Sequence, residues 1–262
     1  MLSICTTIKN RSKIHTDRGF IYPFPNCIES IASSLSLNSE VELIIADWES
    51  TDWPLETWLE SMLPMIDIHL IDVQCDVGFS AGKGRNIAAS QCNGEYIFFI
   101  DADMIINREV IQYGLNMVDD SKVYYPTVLY EVDNGKQIIH HGGGNVFMTK
   151  KTFLESGGWP EYWKHGFEDT DYVKTIREKY EVVTNDNLTI FHQWHPQTKL
   201  FKDKFSNGDI VVDQRREFYK NQEDEQTKKL QMKVKTALRN PNTTHHTLNQ
   251  PVNAENGRII LW

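Results

Sequence analysis

Apolar positions in this chain fall into short runs separated by polar, glycine-containing stretches. Residues 2–8, LSICTTI, are apolar or β-compatible throughout and predict a first strand. A polar loop follows, and the spacing over residues 26–37 predicts a helix. VELIIA, residues 41–46, predicts a second, fully buried strand. Residues 54–63 predict a short amphipathic helix, and IDIHLID, residues 66–72, a third strand. GFSAGKGRNIAASQ reads as a glycine-containing turn into a helix, and EYIFFI, residues 95–100, as another buried strand. The second half is more mixed. Strands are expected over 123–130 and 137–149 with glycines between them, a helix with an acidic start over 168–179, and a strand over 181–191.

Strands alternating with helices predict an α/β fold with a mixed, mostly parallel sheet flanked by helices. In such a sheet the ligand lies beyond the carboxyl ends of the strands. The expected domain spans residues 1–212, with a nucleotide-binding half at about 1–105 and an acceptor-binding half at about 106–212. Composition turns polar from Asp213, so residues 213–262 read as an extension, with one long helix over 213–239 and a polar loop or tail over 240–257.

Composition narrows the partners. The chain of 262 residues carries a formal net charge of −9, with no long basic run, which argues against nucleic acid as a main partner. Cys5, Cys27, Cys75 and Cys92 form no CxxC pair and read as buried free thiols of a reducing compartment. No window reaches the ~20 apolar residues a membrane span needs, and MLSICTTIKNR lacks the apolar stretch of a signal peptide. The expected location is cytoplasmic. Residues 228–239, KKLQMKVKTALR, hold five cations and no acid. Read as a helix, they place Leu230, Val234 and Leu238 on one face. That face either packs on its own domain or touches the inner face of an anionic membrane weakly.

Four clusters carry candidate chemistry. Asp101-Ala102-Asp103 follows an apolar strand, and two carboxylates at that spacing suit a hard divalent cation that also binds phosphate oxygens. Read blandly, they are two loop acids. Glu168 and Asp169 open a predicted helix, either as dipole-favoured residues or as a general base beside aromatic Trp159, Tyr162, Trp163 and Phe167. His192-Gln193-Trp194-His195 offers two imidazoles after a strand, and a mixed carboxylate–imidazole site suits manganese. Gly78 to Asn86, GFSAGKGRN, brings Lys83 and Arg85 to a helix start where a phosphate can bind, but it is neither a P-loop nor a GxGxxG fingerprint.

Taken in order, these pieces resemble the family-2 inverting glycosyltransferases of GT-A fold, nearest the branch with chondroitin-type polymerases and galactosyltransferase-like domains. LSICTTIKNR is similar to the opening strand and its loop, and IIADWESTD to the second strand with its nucleobase-holding acid. GFSAGKGRNIA is similar to the Ala-Arg-Asn helix start, FFIDADM to the DxD strand end, GFEDTD to the Gly-Glu-Asp base motif, and FHQWH to the late metal histidine. Two departures stand out. Trp48 and Glu49 replace the usual Asp and Gly, and Phe167 precedes the Glu-Asp pair where relatives usually carry Gly.

The resemblance implies a nucleotide-sugar donor, expected to be UDP-linked, and a glycan or lipid-linked glycan acceptor. It implies Mn²⁺ or Mg²⁺ on Asp101, Asp103 and His192 or His195, with Asp169 as base and Glu168 supporting it. Thr7, Arg11, Asp47, Lys83, Arg85, Asn86 and Asp101 would serve the donor, and Trp159, Trp163 and Phe167 the acceptor. Two other readings remain open at this point. A nucleotidyltransferase shares the acidic metal site but usually has an N-terminal Gly-rich loop, absent from LSICTTIKNR. A non-catalytic glycan- or UDP-binding module would keep the pocket without turnover.

Overall fold

The structure is a computed structural model and describes residues 1–35, 40–75, 78–131, 137–141, 143–162, 167–196 and 232–236. The chain runs through β1 (Leu2–Ile8), β2 (Ile14–Thr16), β3 (Gly19–Ile21), α1 (Pro23–Ser34) and β4 (Val41–Asp47). A 3₁₀ turn (Leu55–Thr57) and a single turn, α2 (Leu59–Met62), lead to β5 (Asp67–Cys75), α3 (Ala81–Ser90), β6 (Tyr96–Phe99) and β7 (Met104–Ile105). The second half holds α4 (Arg108–Met117), β8 (Lys122–Tyr124), β9 (Thr127–Glu131), β10 (Gln137–His141), β11 (Val146–Thr149) and α5 (Lys150–Ser156). It continues through α6 (Glu168–Lys179), β12 (Glu181–Val183), β13 (Thr189–His192) and β14 (Met232–Thr236).

The main sheet has the order β12-β8-β11-β6-β1-β4-β5-β14, and its centre, β6-β1-β4-β5, is parallel. A smaller sheet of order β10-β9-β13-β7 lies beside it. Helices cover both faces of the main sheet, so its central strands are buried on both sides and read as continuous apolar runs. The alternation of side chains shows which residue faces which layer. Leu2, Ile4, Leu43, Ile45 and Phe98 pack with α1, the α2 turn and α4. Cys5, Ile44, Ala46, Ile97 and Phe99 pack with α3, α5 and α6. Among the described residues Cys5, Cys27 and Cys92 are buried and unpaired, and no helix is long and apolar enough to cross a membrane.

Several expectations need revision. Helix α1 starts at Pro23, because two prolines in its first turn suit positions whose N–H has no helical partner. The 181–191 strand is two strands in different sheets, separated by a turn in which the Leu188 amide donates to the Asn185 carbonyl. Helices α4 and α5 were not anticipated. Asn107 and Thr149 cap them by accepting from the Val110 and Thr152 amides.

The helix expected over 213–239 is corrected where the structure describes it. Met232–Thr236 is a strand, antiparallel to β5. Its Met-Lys-Val-Lys-Thr alternation has period two, and β5 otherwise presents an open edge of backbone donors and acceptors. The Leu230/Val234/Leu238 face does not exist at Val234, which removes the basis for the membrane contact there. The rest of 197–231 and 237–262 lies outside the described residues.

Candidate active site

The carboxyl ends of β1, β4, β6 and β13 bring distant parts of the chain together. Strand β6 stops at Phe99, and the Asp101-Ala102-Asp103 bend runs directly into β7, whose Met104 pairs with His192 of β13. The histidine-bearing strand end is thereby held against the acidic bend.

The two acids of that bend face different partners. Asp103 Oδ1 lies 3.6 Å from His192 Nε2, and its Oδ2 lies 3.1 Å from His195 Nε2 and 3.8 Å from Arg11 Nε. Burial alone would raise the Asp103 carboxyl, but the His195 hydrogen bond and the electrostatic influence of His192, His195 and Arg11 hold it well below the usual carboxylate range. One donor atom each from Asp103, His192 and His195 lies within 4.8 Å of the others. His195 Nδ1 sits 3.1 Å from the Pro196 carbonyl. With a cation held at Asp103, a proton on Nδ1 would donate there and free Nε2 as a ligand in place of its hydrogen bond to Asp103. One carboxylate and two imidazoles fit Mn²⁺ better than Mg²⁺, which prefers oxygen alone, and they leave coordination positions for phosphate oxygens. Both histidines of the pair therefore face Asp103 at the candidate metal position. Tyr130 of β9, which sequence reasoning missed, stacks on His192 with centroids 4.5 Å apart. Burial first, and then the Asp101, Asp103 and Asp169 carboxylates, raise its hydroxyl pKa.

Asp101 turns the other way. Its Oδ1 accepts from Arg85 Nη2 at 2.6 Å and its Oδ2 from Asn145 Nδ2 at 3.1 Å, while Asn145 Oδ1 accepts from the Asp101 amide. Arg85 is 5% exposed, with Nη1 3.5 Å from Glu168 Oε1 and its guanidinium 4.5 Å from the Trp159 ring centroid. Burial alone would lower the arginine pKa, but Asp101, Glu168 and Asp169 outweigh it and raise it. A Cβ at Gly144 would collide with both Arg85 and Asp101, so the close approach requires a glycine there. Asn145 and Gly144 were also missed, and the only signal for them is the run HGGGN.

The donor-side residues have mixed fates. Arg11 faces Asp103 as described. Asp47 ends β4 and is nearly buried, its Oδ1 accepting from the Ser50 amide. Burial pushes its carboxyl up to about 6 in spite of the Ser50 hydrogen bonds. Thr7 is drawn into the packing between β1 and β4: its hydroxyl donates to the Ala46 carbonyl and accepts from Trp48 Nε1. Lys83 pairs with Glu161 at 2.9 Å. Asn86 donates to Glu161 and the Trp159 carbonyl and accepts from the Trp159 amide. Lys83 and Asn86 thus pin the segment before α6 to α3. In this structure both side chains are engaged with Glu161, and their service to the donor is not something these contacts show.

On the acceptor side, Trp159 is corrected to a core residue. It is 2% exposed, with its ring 4.0 Å from Tyr172 and edge-on to Phe99, so no face is left for a sugar. Trp163 lies outside the described residues. Phe167 precedes α6 with φ of 75°, a left-handed conformation that a glycine adopts without strain. Glu168 is buried towards Arg85, whereas the half-buried Asp169 borders a cavity of about 450 Å³ lined by Gly143, Thr170, Val173, Lys174, Arg177 and Glu178.

Comparisons with known proteins agree with this architecture. Poly(ribitol-phosphate) beta-N-acetylglucosaminyltransferase TarS of Staphylococcus aureus, in strains Mu50 and MW2, is 28% identical over 93 residues. That match spans 36% of this chain and 16% of TarS. Crystal structures of S. aureus TarS 1–349 share the fold. The form in complex with UDP-GlcNAc has a TM-score of 0.58 at 16% identity over 80% of this chain and 61% of that one. Another has a TM-score of 0.57 at 17% identity over 73% of this chain and 60% of that one. The profile of glycosyl transferase family 2 matches residues 23–167, more than half of the sequence, and with the α/β fold and the acidic bend beyond β6 this places the chain in that family.

Proposed function

We propose that the chain transfers a sugar from a UDP-linked donor to a hydroxyl of a glycan acceptor, with inversion and with a divalent metal held by Asp103, His192 and His195. The observation that carries this reading is the gathering of those three donors within 4.8 Å at the carboxyl end of the sheet. Asp169 directly follows Glu168, whose carboxylate lies 3.5 Å from Arg85, and it borders the adjoining cavity. The UDP-GlcNAc and UDP complexes of TarS support a UDP-sugar as donor. The finer placement beside chondroitin-type polymerases rests on motif order alone.

In the proposed reaction the acceptor hydroxyl approaches Asp169 from the adjoining cavity. Asp169 takes the hydroxyl proton as the oxygen bonds to the anomeric carbon, and the bond from that carbon to the UDP oxygen breaks with its electron pair going to UDP. A single displacement inverts the anomeric configuration. The metal, when bound, neutralises charge that builds on the departing diphosphate. Arg11 adds a cation on the same side. Glu168, held by Arg85, fixes the start of α6 and hence the carboxylate of Asp169. Lys174 and Arg177 on the cavity wall suit an anionic acceptor, and the related TarS is named for poly(ribitol phosphate).

The test is a panel of nucleotide sugars, UDP-GlcNAc first, with poly(ribitol phosphate) or neutral oligosaccharides as acceptor. Each is run with Mn²⁺ or with EDTA, and nucleotide release and product anomer are measured. Release of UDP with sugar incorporation, inverted and dependent on Mn²⁺, is the expected result. Pyrophosphate release from UTP and a sugar phosphate would replace this reading with a nucleotidyltransferase, and full turnover in EDTA would remove the metal.

A further inference from the structure

We propose that Gln193, which lies between the two histidines, is the positioning residue of the metal site. This rests on the reading of Asp103, His192 and His195 as metal ligands. His192 is the last residue of β13, and its partners across the sheet are Met104 and Tyr130. Beyond it the chain leaves the ladder, yet His195 must still present its Nε2 to Asp103. Something other than strand pairing has to hold the intervening turn.

Gln193 supplies that restraint with both of its amides. Its main-chain N–H donates to the Asp103 carbonyl at 2.9 Å. Its side-chain Nε2 donates to the same carbonyl at 3.1 Å and to the Pro23 carbonyl at 2.8 Å. Its Oε1 accepts from Asn26 Nδ2 at 2.8 Å. Both side-chain protons and the carbonyl oxygen are used, and only this orientation of the amide satisfies them, because the flipped one would set Oε1 against two carbonyl oxygens.

One side chain therefore joins three segments: the acidic bend that carries one ligand, the loop that carries the other two, and the first turn of α1. His192 is further held by its stack on Tyr130, and His195 by the Pro196 carbonyl. Gln193 is the group that sets the distance between loop and bend. A supporting hydrogen bond of this kind keeps ligands in place before the metal arrives, and its loss weakens metal affinity by roughly 10–100-fold.

The experiment is a Mn²⁺ titration by calorimetry or electron paramagnetic resonance on the full chain, with thermal unfolding recorded for every variant. Gln193→Glu keeps the size but replaces both donated protons with charge. Gln193→Ala removes the group, and Asn26→Ala removes only its outer partner. Both Gln193 variants should bind Mn²⁺ about 10–100-fold more weakly, with little change in Tm. Asn26→Ala should show a smaller loss. In transfer assays the Mn²⁺ requirement should rise in parallel, while kcat recovers at saturating metal. Folded variants with wild-type Mn²⁺ affinity, or variants that lose Tm at unchanged affinity, would overturn the proposal. Should Gln193→Glu not fold, Gln193→Ala and Asn26→Ala decide it on the same readout. Asp103→Ala separates the two claims. If it alone abolishes binding, only the role of Gln193 fails. If wild type binds no better than Asp103→Ala, the metal reading fails and takes this proposal with it.

Discussion

Asp101 and Asp103 are two residues apart on one bend, yet they serve different structures. Asp103 faces two imidazoles and Arg11 at the rim of the sheet. Asp101 faces a buried arginine and an asparagine, in a cluster that continues through Glu168 to the start of α6. Identical side chains thus become a metal-ligand candidate and a structural anchor. The glycine at 144 is what permits the second arrangement, since any Cβ there would push Arg85 and Asp101 apart. The same division recurs in the adjacent pair: Glu168 is turned into the arginine cluster, and Asp169 is left at the cavity. One member of each pair is held in the scaffold, and its neighbour is the one proposed to do chemistry.

The strongest way to break this comparison is to remove Asp103. Metal-borne charge stabilisation contributes several kcal/mol to such transition states, so Asp103→Ala should lower transfer by at least ~10³-fold and abolish Mn²⁺ binding. Asp169→Asn keeps shape but cannot take a proton. It should lower transfer by about 10²–10⁴-fold, with UDP affinity and Tm near wild type. Near-normal transfer in that variant would assign the base to another residue.

Asp101→Asn sharpens the contrast from the other side. It leaves the buried Arg85 with one carboxylate fewer. Breaking a buried pair costs about 3–5 kcal/mol, and because the Asp101 side chain is 30% exposed and Glu168 remains, a loss of roughly 1–3 kcal/mol is expected in denaturant titration. Mn²⁺ affinity should change little. A loss of affinity matching that of Asp103→Ala would mean that both carboxylates are ligands and that the division between them is wrong.

Asp47 provides a test by pH, away from both pairs. Its carboxyl sits at about 6 in the fold, against an ordinary value of 3.8. The folded state therefore holds this proton more tightly than the unfolded chain does. Stability contributed by the neutral form is fully present below about pH 4 and is lost as pH rises through about 6. Asp47→Asn should stabilise the protein by an amount on the order of 1–3 kcal/mol at neutral pH and not at all near the acid limit, read as Tm against pH. An equal shift at both ends of the pH range would show that burial of the charge is not the cause.

Local pattern alone determined much of this protein. The buried strands declare themselves as apolar runs, and the acidic start that predicts a helix over 168–179 matches α6 at its observed bounds of Glu168–Lys179. The acidic bend and the histidine pair are legible from residue type and position after a strand, and the Glu-Asp pair from its place at a helix start. Tertiary structure decided what each of them touches. Trp159 looks like a sugar platform in a segment crowded with aromatics, but Tyr172 and Phe99, distant in sequence, enclose it. Residues 232–236 look helical when their apolar positions are counted at a spacing of four, yet the open edge of β5 pairs them as a strand. The allocation of Asp101 to Arg85 and of Asp103 to the histidines depends on Gly144 and Asn145 in one loop and on Gln193 in another. Segment type follows from contacts within a few residues and is written in periodicity. The partner of a carboxylate follows from which loops the sheet order brings to one edge, and that order is a property of the whole fold.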